Sequence, residues 1–506
     1  MRTDTHHQGQ RVRAVRITPV VMSCLLLSPW AACSKQPVDD GRVPPVTASD
    51  PQGERVARGD HGHPANPFVT VEGTSFRLHG APYHFVGANY WQAMNLASKG
   101  AGGDRRQFLR ELDDMKAHGI TNLRIVAASE GPDTEPLRIV PALLQAPGVY
   151  NEDLLDGLDF TIKALADRDM KAIMTMGNMW HWSGGFGQYL VWAGVATSIP
   201  YPPPHPGGDW DAYQKFTAQF YGNAQAVSYY LDHVAKIVTR YNKYTHTLYR
   251  DEPAIMAWEL ANEPRALSHV DAYLAWIDKS ARFIKALDHK HLVTTGSEGD
   301  TSDPSYSGTE YRRDHAFRAI DYGTTHVWVQ NWGWYDPLRA DETYAPAVAL
   351  AEAYIDSHVA RTVALDKPIV FEEFGLARDL NNFDPTSPTT MRDRYYPEIF
   401  GHLYALAKID AVAGTNFWAF AGESRPVAPG RFWQPGNPFL GDPPHEEQGW
   451  YSVYNSDRST MAIVKRFSTL MTDLDHKRPR RVTIAGASDA LINQGRAPRP
   501  RSAAAP

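Results

Sequence analysis

Along this chain, short apolar runs alternate with longer amphipathic stretches, beginning near residue 68 and continuing to about residue 420. Phe68-Val-Thr-Val-Glu-Gly and Ser75-Phe-Arg-Leu-His-Gly each alternate apolar with polar positions around a Gly-containing turn, which predicts a hairpin. The run 83–90 is nearly continuously apolar, the pattern of a strand buried on both faces. Phe108, Leu109, Leu112, Met115 and Lys116 then recur at helical spacing over 105–118, and Gly119 supplies the stop.

The same unit repeats. Strands are predicted at 122–127, 171–178, 255–259, 291–296, 321–328, 368–375 and 414–420. Helices are predicted at 153–167, where Leu154, Leu155, Leu158, Ile162 and Leu165 share a face, and at 226–241, 272–287, 347–365 and 395–409. Strand and helix alternating in this way predict an α/β fold of the (β/α)8 TIM barrel type, with the hairpin closing its bottom. A doubly wound open sheet is the alternative, but no Gly-rich phosphate loop follows the first strand. In a barrel every strand opens its carboxyl end on one face. The long loops 180–211 and 422–450 fall there and read as walls of a substrate cleft.

Two strands on that face end in carboxylates. Ile255-Met-Ala-Trp runs into Glu259-Leu-Ala-Asn262-Glu263-Pro264, and Ile369-Val-Phe runs into Glu372-Glu373-Phe374-Gly375. A carboxylate at the end of a buried strand carries a large desolvation cost, which points to chemistry. Paired strand-end glutamates suit glycoside hydrolysis, one protonating the leaving oxygen and one attacking carbon or activating water.

Asn-Glu-Pro at one strand end and Glu-Phe-Gly at another resemble glycoside hydrolase family 5, and Glu263-Pro264-Arg265 resembles its endo-β-1,4-mannanases. The resemblance spans roughly residues 68–472. It implies retaining endo-hydrolysis of β-1,4-mannosidic bonds in mannan, glucomannan or galactomannan. Glu263 would be the acid/base, protonated at rest, and Glu373 the nucleophile, kept ionised by Arg124, the family's strand-two arginine. Asn262 matches the asparagine that contacts the sugar 2-hydroxyl, and His326 the strand-six histidine. Trp418 matches the platform beneath the sugar being cleaved, Trp91 and Trp180 end strands as subsite walls, and Arg265 matches a product-side contact. The chain departs from the family at His326-Val327-Trp328, where the usual pattern is His-x-Tyr. Trp328 is expected to take over orientation of Glu373, with Tyr322 and Tyr335 near enough in sequence to compensate. Glu372 is set aside because neighbours on a strand point to opposite faces. An exo-acting β-mannosidase or an endo-β-1,4-glucanase would use the same glutamates, and a non-catalytic glycan-binding lipoprotein is a remoter alternative.

Composition narrows the partners. A net charge of −6 over 506 residues offers no basic face for nucleic acid, and the 14 tryptophans suit flat sugar faces. No metal or cofactor is implied: His61-Gly-His63 lacks further ligands, and Ser183-Gly-Gly is not a nucleophile elbow. A monomer acting on β-mannan is expected. The only cysteines, Cys24 and Cys33, lie at the start of the chain, so the catalytic domain rests on its core and not on disulfides.

The ends of the chain carry separate expectations. Residues 1–32 read as a lipoprotein-type signal, basic over 11–16 and apolar over 17–27, with Cys33 the acylated first residue of an exported protein. Residues 33–64 read as a tether, 65–476 as the catalytic domain, and 477–506 as a basic, disordered tail. Membrane contact is expected only through the anchor. Trp30 departs from the usual lipoprotein pattern, and ordinary secretion with cleavage nearby is the alternative. Each buried acyl methylene contributes about 0.8 kcal/mol, so several chains hold firmly. The mature protein should therefore sediment with membranes, and Cys33→Ala should move it to the soluble fraction; a soluble wild type whose N-terminus is not residue 33 would refute the anchor.

Overall fold

Every apolar run read as a strand forms one. In the computed structural model, which describes residues 66–301 and 307–476, these are β1 (Phe85–Asn89), β2 (Asn122–Val126), β3 (Lys171–Thr175), β4 (Ile255–Glu259), β5 (Leu292–Thr294), β6 (Gly323–Val327), β7 (Ile369–Phe374) and β8 (Gly414–Phe417). They lie parallel in the order β5-β4-β3-β2-β1-β8-β7-β6. Around them run α1 (Arg105–Ala117), α2 (Glu152–Ala166), α3 (Ala224–Val238), α4 (Val270–Leu287), α5 (Tyr311–His315), α6 (Ala340–Val363), α7 (Thr390–Ala407) and α8 (Arg458–Asp475). This is a (β/α)8 TIM barrel. The signal segment with Cys33, the tether and the C-terminal basic stretch lie outside the described residues.

Local chemistry starts several of the helices. Asp104, Asn151 and Asn223 each turn a side-chain oxygen onto free N–H groups of the first turn of α1, α2 and α3. Two helices begin earlier than the sequence predicts. The predicted helix 347–365 starts just after Pro346, yet Pro346 lies inside α6, and Pro397, inside the predicted helix 395–409, lies inside α7. Pro346 falls where the helix faces solvent, so water can satisfy the carbonyl it leaves unpaired. The sequence pattern predicts neither α5 nor α8, although Met461, Val464, Phe467 and Met471 bury one face of α8 and the Phe467 ring stacks on Phe400. Asp475 near its end accepts both the backbone N–H of His84, at 3.0 Å, and its Nδ1, at 2.8 Å, and so ties the last helix to the first strand.

Below the barrel, Thr70–Glu72, Ser75–Leu78 and a short third strand, Ala81–Pro82, form an antiparallel sheet. Phe76 enters the barrel bottom among Phe85, Ile173, Met256, Leu292, Tyr322 and Val370, its ring edge-on to Tyr322 at 5.3 Å. The predicted hairpin is thus the plug.

Two interruptions of the ladder shape the upper face. Between β6 and β7 the register shifts, so that Thr325 pairs with Phe371, His326 pairs with Glu373 and Glu372 is left between them. Between β5 and β6 there is no ladder. That edge is closed by single bonds: the Asp321 N–H to the Val293 carbonyl (2.8 Å), the Val293 N–H to the Asp321 carboxylate (2.6 Å), the Thr294 hydroxyl to the Tyr322 carbonyl (2.9 Å), the Thr324 hydroxyl to the Ser297 carbonyl (3.0 Å) and the His326 N–H to the Glu298 carbonyl (3.1 Å).

Phe76 is fully buried in the plug, so Phe76→Ala should cost about 3–5 kcal/mol by lost burial and a residual cavity. Denaturant titration should show a lower midpoint with kcat unchanged while folded. An unaltered midpoint would mean that the plug contributes nothing.

Candidate active site

Arg124, at the middle of β2, is buried with all five of its N–H donors placed. Its Nε and one terminal nitrogen fork onto the Glu259 carboxylate at 2.9 and 2.6 Å, and that nitrogen also reaches Asn262 Oδ1 at 2.8 Å. The other terminal nitrogen donates to Asn89 Oδ1 at 3.1 Å and to Glu373 Oε1. Asn89 in turn donates to the carbonyl of Glu372 at 2.7 Å and that of Phe417 at 3.2 Å. One guanidinium therefore fixes side chains from β1, β4, β7 and the turn after β4.

That turn places Glu263. The Asn262 N–H bonds the Gly177 carbonyl and the Glu263 N–H bonds the Gly296 carbonyl, both at 2.9 Å, so the segment is pinned between the ends of β3 and β5. Glu263 itself has φ +48°, in the left-handed region that L-residues adopt at a cost of about 1–3 kcal/mol. Gly296, at φ +73°, lets the turn pass, since a Cβ there would lie 1.9 Å from the Ala261 carbonyl. The Trp180 indole N–H donates to Glu263 Oε2 at 2.6 Å, and Arg265 stacks over the Trp180 ring at 5.0 Å.

His326 Nδ1 lies 2.7 Å from Glu263 Oε1 and 3.4 Å from Glu373 Oε2, so one imidazole stands between the two carboxyl groups. Burial, and then the charge of Arg124, push its pKa well below the usual histidine value, so the ring is neutral. Donor atoms of Glu263, His326 and Glu373 all lie within 4.8 Å of one another. Three groups so close could chelate a cation, but both carboxylates already face an indole N–H, and Glu373 a guanidinium as well, which a cation would have to displace.

Glu373 accepts from Arg124 and, at 3.2 Å, from the Trp328 indole N–H. The indole therefore occupies the place expected of a tyrosine. Tyr322 sits in the cluster at the barrel bottom and Tyr335 packs on Tyr344, so neither compensates. The reasoning that set Glu372 aside needs correction. The bulge breaks the strand's alternation, and Glu372 also turns inward, with Oε2 3.8 Å from Arg124 Nε and 3.9 Å from His326 Nε2. Neither of its oxygens meets a donor N–H or O–H among the described residues. Burial first, and then the charge of Glu259, push its carboxyl well above the usual range, so it holds a proton. Glu373 is also raised by burial, but Arg124 pulls against that, and its two donors are the condition under which a buried carboxylate ionises.

The tryptophans take different places. Trp418 is edge-on to Trp328 at 6.0 Å and, with Trp91, Trp182, Asn89, Arg124 and Asn262, lines a small pocket. The Trp91 indole N–H donates to the Gly441 carbonyl at 2.8 Å. Arg265 is buried in a fork onto Glu298 at 2.6 and 3.0 Å and donates to Gln214 at 2.9 Å; it bears on Glu263 through Trp180. Burial raises Glu298 to about 7, with Arg265 opposing and Glu263 adding to the rise.

Glu259, an acid at the end of an apolar run, shows in the sequence, but its pairing with Arg124 does not; Glu372 shows there as the neighbour of Glu373, but its inward turn does not. The loops 180–211 and 422–450, read from the sequence as cleft walls, touch each other, which the sequence does not show. The loop 422–450 crosses from the end of β8 to the loop after β3, where the His445 ring stacks near Trp182 (6.4 Å, 12°) and meets His181 edge-on at 5.2 Å. These two loops meet above β1 and β2, and Trp182 is buried beneath them.

Comparison with known proteins agrees with this geometry. A family model described as GH family 5 beta-mannosidase-like matches residues 66–476. Mannan endo-1,4-beta-mannosidase 5 of Solanum lycopersicum is 30% identical over 424 residues, 81% of this chain and 90% of that protein. Mannan endo-1,4-beta-mannosidase 3 of the same plant is 31% identical, covering 81% and 92%. Among solved structures, the glycoside hydrolase family 5 mannosidase of Rhizomucor miehei is 37% identical, covers 81% of this chain and 99% of its own, and superposes with a TM-score of 0.75. The endo-1,4-beta-mannanase of the same fungus shares the fold, at 24% identity over 80% and 99% with a TM-score of 0.59. The family model spans residues 66–476 and the barrel superposes on a solved member at 37% identity, so the chain belongs to glycoside hydrolase family 5, in the beta-mannosidase-like group.

Proposed function

We propose that this enzyme is a retaining β-mannosidase that removes mannose from the ends of β-1,4-linked manno-oligosaccharides. The observation that carries this reading is the junction of the loop after β8 with the loop after β3, His445 on Trp182 and His181, which walls the barrel mouth over β1 and β2. A polysaccharide lying across the mouth needs both sides open. The mannosidase from Rhizomucor miehei, at 37% identity, supports the same reading. The endo-acting reading implied by the sequence resemblance draws its support from the Solanum relatives at 30–31% identity. Arg265, the sequence feature that favoured it, is engaged with Glu298 inside the protein.

In the proposed chemistry, a carboxylate oxygen of Glu373 attacks the anomeric carbon while Glu263 gives its proton to the departing glycosidic oxygen, leaving a covalent glycosyl-enzyme. Water then attacks that carbon as Glu263, now a carboxylate, takes the water's proton, and Glu373 is released. Close approach of the two carboxyl groups supports retention: retaining pairs stand about 5–5.5 Å apart, whereas inverting pairs need roughly 6.5–9.5 Å to admit a water, and oxygens of Glu263 and Glu373 here come within 4.8 Å. Arg124 holds Glu373 against β2, Trp328 orients it, and His326 can pass between the two carboxyls only a hydrogen bond, since its ring is neutral. Trp418 would lie under the reacting sugar and Asn262 near its 2-hydroxyl. The proposed lipid anchor at Cys33 would keep this activity at a membrane surface.

Proton NMR of the first product should show the β-anomer. Glu373→Ala should lower turnover by more than about 10⁴-fold. Glu263→Ala should spare the first step for an activated aryl mannoside, with azide rescuing the second. An α-configured first product, or greater damage from Glu372→Ala than from Glu373→Ala, would overturn the assignment. On mannopentaose, mannose should accumulate from the first minutes, and the viscosity of linear mannan should stay nearly constant. Early mannobiose and mannotriose with falling viscosity would establish the endo-acting enzyme instead.

A further inference from the structure

A departing sugar lies on the side of the group that gives it a proton. In the mechanism proposed above that group is Glu263, and the loop after β3 meets it with Trp180, whose indole N–H donates to Glu263 Oε2 at 2.6 Å. Against Trp180 stands Trp210, edge-on, with ring centroids 5.8 Å apart and planes at 85°. Trp210 is 39% exposed, and no other tryptophan among the described residues is as open to solvent. One exposed apolar side chain is ordinary on a protein surface, but this one adjoins the indole that touches the acid.

The ring is held in place from several directions. Trp210 opens a short helix, Trp210–Thr217, whose first turn is capped by Asp209, its Oδ1 accepting the Ala212 N–H at 2.7 Å. Tyr213 stacks on Trp180 at 6.2 Å and donates its hydroxyl to the Met179 carbonyl at 2.5 Å. Gln214 accepts from Arg265 at 2.9 Å, so the helix is fastened both to the segment after β3 and to the turn that carries Glu263. Just before the helix the loop doubles back so tightly that a Cβ on Gly208 would lie 2.4 Å from the carbonyl carbon of Pro202. The Trp210 ring also meets Tyr213 edge-on at 6.2 Å and His181 at 6.3 Å, so three rings support it and it remains open to solvent.

We propose that Trp210 is the platform for the second sugar on the leaving-group side, and that it makes mannotriose a better substrate than mannobiose. This rests on the β-mannosidase reading, with Glu263 as the acid, and deepens it by naming what the enzyme reads beyond the bond it cuts. Trp180 touches the acid and Trp210 touches Trp180, so the two indoles follow one another outward from the reacting bond as successive sugars do. An indole offers a flat apolar face with a polar N–H at its edge, which suits the C–H face and the hydroxyls of a pyranose. A sugar one ring away from the bond being broken changes little as that bond breaks. Its contact with Trp210 therefore holds the bound substrate and the transition state alike, which lowers KM and leaves kcat where it is.

The test compares the full-length protein with its Trp210→Ala and Trp210→Phe variants on mannobiose and on mannotriose, both isotopically labelled at the reducing end. Wild type should hydrolyse mannotriose with a kcat/KM about 3- to 10-fold above that for mannobiose, the scale of one aromatic contact. Trp210→Ala should bring that ratio below about 1.5-fold, through a higher KM for mannotriose, and Trp210→Phe should keep most of it. Damage to the fold would instead lower kcat on both substrates alike and leave the ratio where it was. If the ratio is the same in wild type and Trp210→Ala, or if wild type shows no preference for mannotriose, Trp210 carries no sugar. The label separates this failure from that of the reading beneath it. Labelled mannobiose from mannotriose is the product of cleavage at the non-reducing end; labelled mannose would place the third sugar on the other side of the bond, and the β-mannosidase reading and the proposal would fall together.

Discussion

A guanidinium in the middle of a barrel can stay charged only if every donor is met, and the upper half of this protein is arranged to meet those of Arg124. Two carboxylates, Glu259 and Glu373, and two amides, Asn89 and Asn262, surround it. Removing one partner of a buried pair costs roughly 3–5 kcal/mol, because the other charge is left in a medium that cannot solvate it. The network therefore acts as a gauge: β1, β2, β4 and β7 reach it together or the charge is unpaired. A third carboxyl, Glu372, is tolerated beside it only as the neutral acid. The same accounting of charge separates the roles of two adjacent glutamates that alternation along a strand would have separated for the wrong reason.

Much of this was legible in the chain. Buried parallel strands read as unbroken apolar runs because both of their faces are covered, and amphipathic helices betray their inner face, so eight strands and six helices are found close to where the pattern puts them. Glu263, Glu373, Arg124, His326 and Trp328 converge as the motif spacing implies, and the indole does take the tyrosine's place. What could not be read depends on relations between distant segments. The bulge at Glu372 is a property of two strands in register and leaves no mark on either alone. Pro346 looks like a stop unless one knows that its turn of α6 faces water. The loop 422–450 reads as a cleft wall from its length and place, but it has no periodicity, and its contact with Trp182 and His181 shows only in the fold.

Specificity and chemistry are thus carried by parts with different physical origins. The chemistry is set by strand ends, where ladder bonds and the Arg124 network hold the side chains. In the β-mannosidase proposed above, recognition of chain length falls to a loop whose position is secured by its own acid and amide, Asp442 and Gln448. Such a division lets one barrel serve both internal and terminal cleavage among relatives, since the loop can change without disturbing the strands.

The unlatched edge of the sheet has a mechanical meaning. Glu263 follows β4, which is laddered to β5; Glu373 ends β7, which is laddered to β6; the gap lies between β5 and β6. The short way around the barrel from one glutamate to the other therefore crosses the softest joint in the wall. Hydroxyls of Thr294 and Thr324, a few backbone contacts and the His326 ring spanning the two carboxyls are the springs across it. In the retaining mechanism proposed above the outcome depends on that distance, and threonine hydroxyls at the seam between β5 and β6 help to hold it.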